Sequence, residues 1–245
     1  MHSSLSWLLA LTLTAGSAFA ADTAPNTLTP AESKAGWRLL WDGQTTKGWR
    51  SLRGAEFPAK GWEIKDGALT VLSSGGKPGT AGGDIITTDK FTNFELSVDF
   101  KITPGANSGI KYFIDPAIIP NGVGFEFQVL DDTKHPDAQK GTQGNRTIGS
   151  LYDLIAAAGT KKVNPPGQWN NARIVVQGRH VEHWLNGEKV VALERLSDDF
   201  RKHLAESKFK SIAKFGEVNT GHILLQEHGD EVAYRNIKLR ELPAQ

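Results

Sequence analysis

The run Gly124-Phe125-Glu126-Phe127-Gln128-Val129-Leu130-Asp131-Asp132-Thr133-Lys134-His135 puts an acid, an amide, two more carboxylates and an imidazole close together. Strand side chains alternate from face to face, so Phe125, Phe127 and Val129 share one face and Glu126 and Gln128 the other. Glu126 and His135 are candidate general bases, and Asp131 is placed to orient His135 or to bind a metal. Asp132 reads as a turn residue. The Asp-Asp-x-x-His spacing offers oxygen and nitrogen ligands. No second compact set of His or carboxylates follows a zinc or calcium spacing, so a divalent metal is left open and no cofactor is assigned.

Two further segments carry polar groups on a face that a sheet would otherwise fill with apolar residues. In residues 107–112, Lys111 opposes Ile110 and Tyr112, and Asn107 precedes them. In residues 224–228, Gln226 and His228 share a face opposite Leu225 and Glu227. Hydrogen-bonding side chains gathered this way suit a carbohydrate cleft. Gln128, Asn107, Arg146, Tyr152, His183, Gln226 and His228 are the candidate substrate-binding residues. Each has a structural alternative. Glu126 could serve as the ion-pair partner of a neighbouring lysine or arginine, and His183 as a cross-strand partner. Gln226 and His228 could be sheet-face hydrogen-bonders. Arg146 lies in a loop where exposure is the default, and Tyr152 could pack under a sheet edge.

The elements that must position these groups are short strands. Residues 93–103 alternate most clearly, with Phe94, Leu96, Val98, Phe100 and Ile102 on one face. Further strands are expected at 37–41, 62–64, 68–72, 108–114, 123–130, 172–177, 181–186, 189–193, 222–228 and 232–240. Asp66-Gly67 and Asn186-Gly187 supply hairpin turns. Residues 73–83 are Gly-rich. Pro78 stands where a phosphate-binding loop needs Ser or Thr, so this segment is read as a surface loop. Residues 151–158 suggest a helical turn or two, and 197–208 a short amphipathic helix capped by Ser197. This pattern predicts an all-β fold: a two-sheet antiparallel β-sandwich with one or two short helices.

Composition narrows the function classes. A net charge of +1 gives no basic field for nucleic acid. The apolar run at 5–13, with Ala18-Phe19-Ala20 after it, reads as a cleaved secretory signal over 1–20. It is too short for a permanent membrane anchor. Cys is absent, so neither a lipidated cysteine nor a disulfide framework is available. The expected organisation is a flexible arm over 21–35 and one sandwich domain over 36–242, in a periplasmic or secreted protein. Most of the tryptophans are expected in the core, though their rings can also stack on sugars.

Seven motifs in order resemble one family. They are Leu40-Trp41-Asp42-Gly43 with Gly48-Trp49, Asn107-Ser108-Gly109-Ile110, Glu126-Phe127-Gln128-Val129-Leu130-Asp131, Gly149-Ser150-Leu151-Tyr152-Asp153, Gly167-Gln168-Trp169-Asn170, His183-Trp184-Leu185-Asn186-Gly187, and Leu225-Gln226-Glu227-His228-Gly229 with Arg235-Asn236-Ile237. Together they look like the 3-keto-disaccharide hydrolase family, from about Trp37 to Leu239. The resemblance implies a concanavalin-like jelly roll acting on glycosides oxidised at C3, often beside a sugar 3-dehydrogenase that makes the ketone. Such chemistry needs a base at C2, an electrophile for the enolate oxygen and an acid for the leaving oxygen. Glu126 or His135 then becomes the base, and Lys111 or a divalent cation the electrophile. Two alternatives remain: a non-catalytic glycan-binding sandwich, and an ordinary retaining glycanase. The latter needs a second carboxylate facing Glu126, and alternation along its own strand supplies none.

Overall fold

The computed structural model describes residues 24–80 and 82–244. The expected signal at 1–20 lies outside them. The elements are α1 (Pro30–Lys34), β1 (Arg38–Leu39), β2 (Trp49–Ser51), β3 (Trp62–Lys65), β4 (Ala68–Val71), β5 (Ile85–Thr87), β6 (Phe94–Ile102), β7 (Asn107–Ile114) and β8 (Phe125–Leu130). They continue with β9 (Asn170–Gln177), β10 (His180–Leu185), β11 (Glu188–Glu194), α2 (Asp198–Glu206), β12 (His222–Leu225) and β13 (Val232–Glu241). One sheet runs β11-β10-β9-β6-β13-β4-β3, with β1 also paired to β13. The second runs β2-β5-β12-β7-β8, and the pairings within both are antiparallel. The fold is thus the expected two-sheet antiparallel sandwich.

The first sheet follows the period-two rule. β6, β9 and β10 alternate buried with half-buried residues, one face on the core and one toward water. β8 departs from it, because all of its residues are buried. Segment 149–152 runs along its free edge. Gln128 N donates to Ser150 O, Gly149 N to Gln128 O and Tyr152 N to Glu126 O, at 2.9 to 3.2 Å. An edge strand left open invites pairing with another chain, and this cover removes the opening. It also encloses the face that carries Glu126 and Gln128.

Two tyrosines tie the sheets together through the apolar interior. Tyr234 on β13 meets Ser108 Oγ on β7 at 2.6 Å. Tyr112 on β7 meets His183 Nε2 on β10 at 2.9 Å, while His183 Nδ1 faces Gly149 O at 3.1 Å. Buried polar groups require such partners. The Tyr112 ring also packs edge-on against Phe94 and Phe125.

Several local expectations change. The stretch at 151–158 forms turns, with Ile155 N bonded to Leu151 O at 2.9 Å, and not a helix. β2 and β5 are too short to show a periodicity and were not anticipated. The arm is docked from Asn26 onward. Asn26 N donates to Asn236 Oδ1 at 2.6 Å, and its side chain bonds Asn236 N and Gly67 O. Thr29 and Glu32 then close a capping box on α1.

His183 makes the fold pH-sensitive. Burial holds its pKa down at about 4, against an ordinary 6.5. The native ring stays neutral while the unfolded chain takes up a proton below pH 6.5, so stability falls as the pH drops from there toward 4. This residue alone should remove about 2 kcal/mol between pH 7 and 5. Urea midpoints at the two pH values should show that loss, and a His183→Gln variant should show a shallower pH dependence. Equal slopes in the two proteins would exclude this role.

Candidate functional site

The outer face of the five-stranded sheet carries the site. β7 and β8 set Lys111 directly opposite Glu126, and Gly109 opposite Gln128. β12 adds its neighbours on the other side of β7, since Gln226 N bonds Gly109 O at 3.0 Å. Asn107, Lys111, Glu126, Gln128, Gln226 and His228 thus share one floor. Tyr152, Lys208, Phe209 and Ile212 wall it, and the cleft holds about 320 Å³.

Glu126 is buried, with an Oε2 3.9 Å from Lys111 Nζ. Among the described residues, none donates a hydrogen bond to its carboxylate. Burial raises its pKa above 4.5, and the charges of Lys111 and Lys208 only partly offset this. Gly109 makes the space. A Cβ there would collide with Glu126 Oε1 and come within 2.8 Å of Cδ. The floor also holds two buried acceptors without partners among the described residues, Gln128 Oε1 and Asn107 Oδ1. An orphaned buried acceptor costs about 1–3 kcal/mol unless something donates to it, and a sugar hydroxyl can.

The wall is held by an ion-pair relay. Arg146 donates to Asp137 at 3.0 Å and to Asp153 at 2.5 Å. Asp137 receives the Tyr152 hydroxyl at 2.8 Å, and Asp153 the Lys208 backbone N–H at 2.7 Å. Burial alone would raise the Asp137 carboxyl. The bonds from Tyr152 and Arg146 outweigh that and hold it below the usual range. Tyr152 is pushed well above the phenol range by burial and by Asp137, so it stays a proton donor. The Lys208 ammonium sits 4.1 Å from the Tyr152 ring centroid, where desolvation lowers its pKa.

Beside this floor, ligand atoms of His135, His228 and Asp230 lie within 4.8 Å of one another. Those residue types suit a divalent transition metal. The Nδ1 of His135 accepts a bond from Asp137 N at 3.2 Å, capping the 3₁₀ turn Pro136–Gln139. A neutral ring that accepts at Nδ1 carries its proton on Nε2. Nε2 can then donate to a substrate. To bind a metal through Nε2, or to take up a proton at Nδ1, His135 must give up the cap.

Residues 36–240 match the family model of the 3-keto-alpha-glucoside-1,2-lyase-like domain. The chain belongs to this family. A 3-keto-disaccharide hydrolase of Bacteroides thetaiotaomicron is 36% identical over 230 residues, which span 84% of this chain and 79% of that protein. A crystal structure of a candidate glycosyl hydrolase from Parabacteroides distasonis superposes with a TM-score of 0.78 at 30% identity, covering 90% of this chain and 100% of that one. The exoplasmic/lumenal domain of VIP36, in a Ca2+- and Man3GlcNAc-bound form, reaches a TM-score of 0.50 at 10% identity over 82% of this chain and 86% of its own, and shares the fold alone.

Within this family member, Glu126, Lys111, Gln128, Asn107, Tyr152, Gln226 and His228 come together around the cleft. Four expected residues do not line it. His135 lies beside it, its ring 6.2 Å from that of His228. Asp131 accepts from Gly105 N, Thr133 N and Oγ1, and Lys134 N, so it organises a turn and neither orients His135 nor faces a ligand. His183 lies in the core with both ring nitrogens engaged. Arg146 stands behind the wall and acts on it through Asp137 and Asp153. Lys208 and Asp84 were missed. The sequence pattern marks Lys208 only as the end of a helix. Asp84 follows the Gly-rich loop, just before a strand too short to recognise. Asp84 lines a neighbouring cavity together with Lys111, and its charge acts on Glu126.

The environment of Glu126 can be read by titration. Lys111 pulls its pKa down against burial, so Lys111→Met should raise it further. Carboxyl 13C NMR of the two proteins should show the Glu126 resonance titrating at higher pH in the variant. An unchanged or lower midpoint would mean that Lys111 does not act on this carboxylate.

Proposed function

We propose that this chain cleaves 3-keto-glycosides, with Glu126 removing the C2 proton. The observation that carries the reading is a buried carboxylate with no hydrogen-bond donor among the described residues, facing an ammonium across two strands on the floor of a polar cleft. Membership of the family makes the protein a carbohydrate-active hydrolase, and the named relative acts on 3-keto-disaccharides. The chemistry divides as follows. The C3 ketone acidifies the proton on C2. Glu126 takes it, and the C2–H electrons move to the C3 oxygen, where Lys111 offsets the charge. The enolate then reforms the ketone, makes a C1=C2 double bond and expels the C1 oxygen, which takes up a proton. Water adds back at C1, and C2 recovers a proton, for net hydrolysis. A raised pKa makes Glu126 a stronger base, yet it must be ionised to act, so activity falls as the pH drops through that raised value. His135 is the weaker base candidate, because its Nδ1 lone pair is already used.

The cluster His135, His228 and Asp230 supports a variant in which a divalent cation shares the electrophile's role with Lys111. Chelation distinguishes the two. Loss of turnover restored by added Mn2+ would bring in the metal; turnover unchanged by chelator would leave Lys111 alone. The reading also places the protein beside a sugar 3-dehydrogenase, in the periplasm or outside the cell. The described residues contain no helix long and apolar enough to cross a membrane.

Purified protein should release free sugar from a 3-keto-disaccharide and not from the unoxidised parent. Glu126→Gln should lower kcat/KM by about 10²- to 10⁴-fold while the protein stays folded. Cleavage of the parent sugar would point to an ordinary glycosidase. Binding of both sugars without cleavage, with metals supplied, would point to a glycan-binding module.

A further inference from the structure

A second cavity adjoins the first. It also holds about 320 Å³, and Lys111 and Gln226 line both. Its own lining includes Arg53, Asp84, Asn121 and Glu227, and its wall is the Gly-rich loop at Pro78, Gly79, Gly82 and Gly83. Residues 74–79 of that loop are tied down. Ser74 N and Gly76 N both bond Gly229 O, at 2.9 and 3.0 Å, and Gly79 N bonds Glu227 Oε2 at 2.6 Å. A Cβ at Gly82 would collide with the carbonyl of Lys60. Glu227 is buried, and among the described residues its Oε1 has no partner. Asp84 Oδ1 accepts from Glu227 N at 2.9 Å. The Lys111 charge acts on both Glu126, in the first cavity, and Asp84, in the second.

A disaccharide needs two adjacent pockets with the reacting bond between them. The first cavity holds the base and so takes the oxidised ring. The second then faces the far side of the C1–O bond. We propose that this second cavity is the subsite for the leaving sugar, an unoxidised pyranose held through its hydroxyls by Arg53, Asn121 and Glu227, and that Asp84 gives its proton to the departing C1 oxygen. In that step the C1–O electron pair takes the Asp84 proton, leaving a free sugar hydroxyl and the Asp84 carboxylate. Burial also raises the pKa of Asp84, which favours the protonated form that this role needs. The proposal rests on the C2-abstraction reading given above.

An acid matters for a poor leaving group and hardly at all for a good one. The test compares a 3-keto-disaccharide with 4-nitrophenyl 3-keto-glucoside. Asp84→Asn should lose about 10²-fold or more in kcat/KM on the disaccharide, with little change on the nitrophenyl substrate. Arg53→Ala should raise KM for the disaccharide only. Equal losses on both substrates, or none on the disaccharide, would overturn the assignment. Binding gives an arm independent of turnover. In the Glu126→Gln protein, saturation-transfer NMR should detect free glucose, and the signal should fall with Arg53→Ala. A glucose signal untouched by Arg53→Ala, or no signal at all, would overturn the subsite. Loss of both activities in Glu126→Gln with the glucose signal intact would support the subsite and the base together.

Discussion

A carboxylate and an ammonium lie 3.9 Å apart on a covered sheet face, and the rest of the molecule is arranged around that contact. Removing two charges from water costs several kcal/mol each, and their mutual attraction returns this only with good geometry. At this separation the ammonium does not hydrogen-bond the carboxylate. The pair is therefore a poor device for stability. It leaves Glu126 unshared, short of solvent and hungry for a proton, beside a positive charge that can accept a developing anion. Such a constellation persists only on a scaffold stable enough to hold it.

The scaffold supplies that stability on the other face of the same strands. Ser108, Ile110 and Tyr112 of β7 turn inward, where Tyr112 and Ser108 engage His183 and Tyr234 across the sandwich. Asn107, Gly109 and Lys111 turn outward to the cleft. A change of register by one residue would exchange the two sets. Gly109 shows how tight the arrangement is, since its missing side chain is the space that Glu126 fills. The cover over β8 does two things at once: it protects an exposed strand edge and, through Tyr152, walls the cleft.

Much of this was legible in the sequence, and for physical reasons. Period-two patterning placed β6, β9, β10 and β13, because one of their faces is solvated. It also put Glu126 with Gln128, and Gln226 with His228, on shared faces. Patterning could not show which groups from different strands meet, or that a loop would close over β8. Asp131 misled because its spacing to His135 suits a ligand pair, whereas its carboxylate spends itself on backbone N–H groups of its own turn. His183 misled because a histidine in the core and one in a cleft look alike in sequence. Asp84 stayed hidden because its segment has no periodic signal, and Lys208 because the helical pattern marks it only as a helix end. The motif resemblance reached the family where patterning alone reached only the fold.

The claim that everything else serves is removal of the proton from C2. It can be followed directly with a 3-keto-disaccharide deuterated at C2, turned over in ordinary water and compared with an enzyme-free blank. NMR of the released 3-keto sugar should show the label lost from C2 beyond the blank, with turnover slower than for the unlabelled substrate. Full retention of deuterium at C2, with no change in rate, would contradict the account.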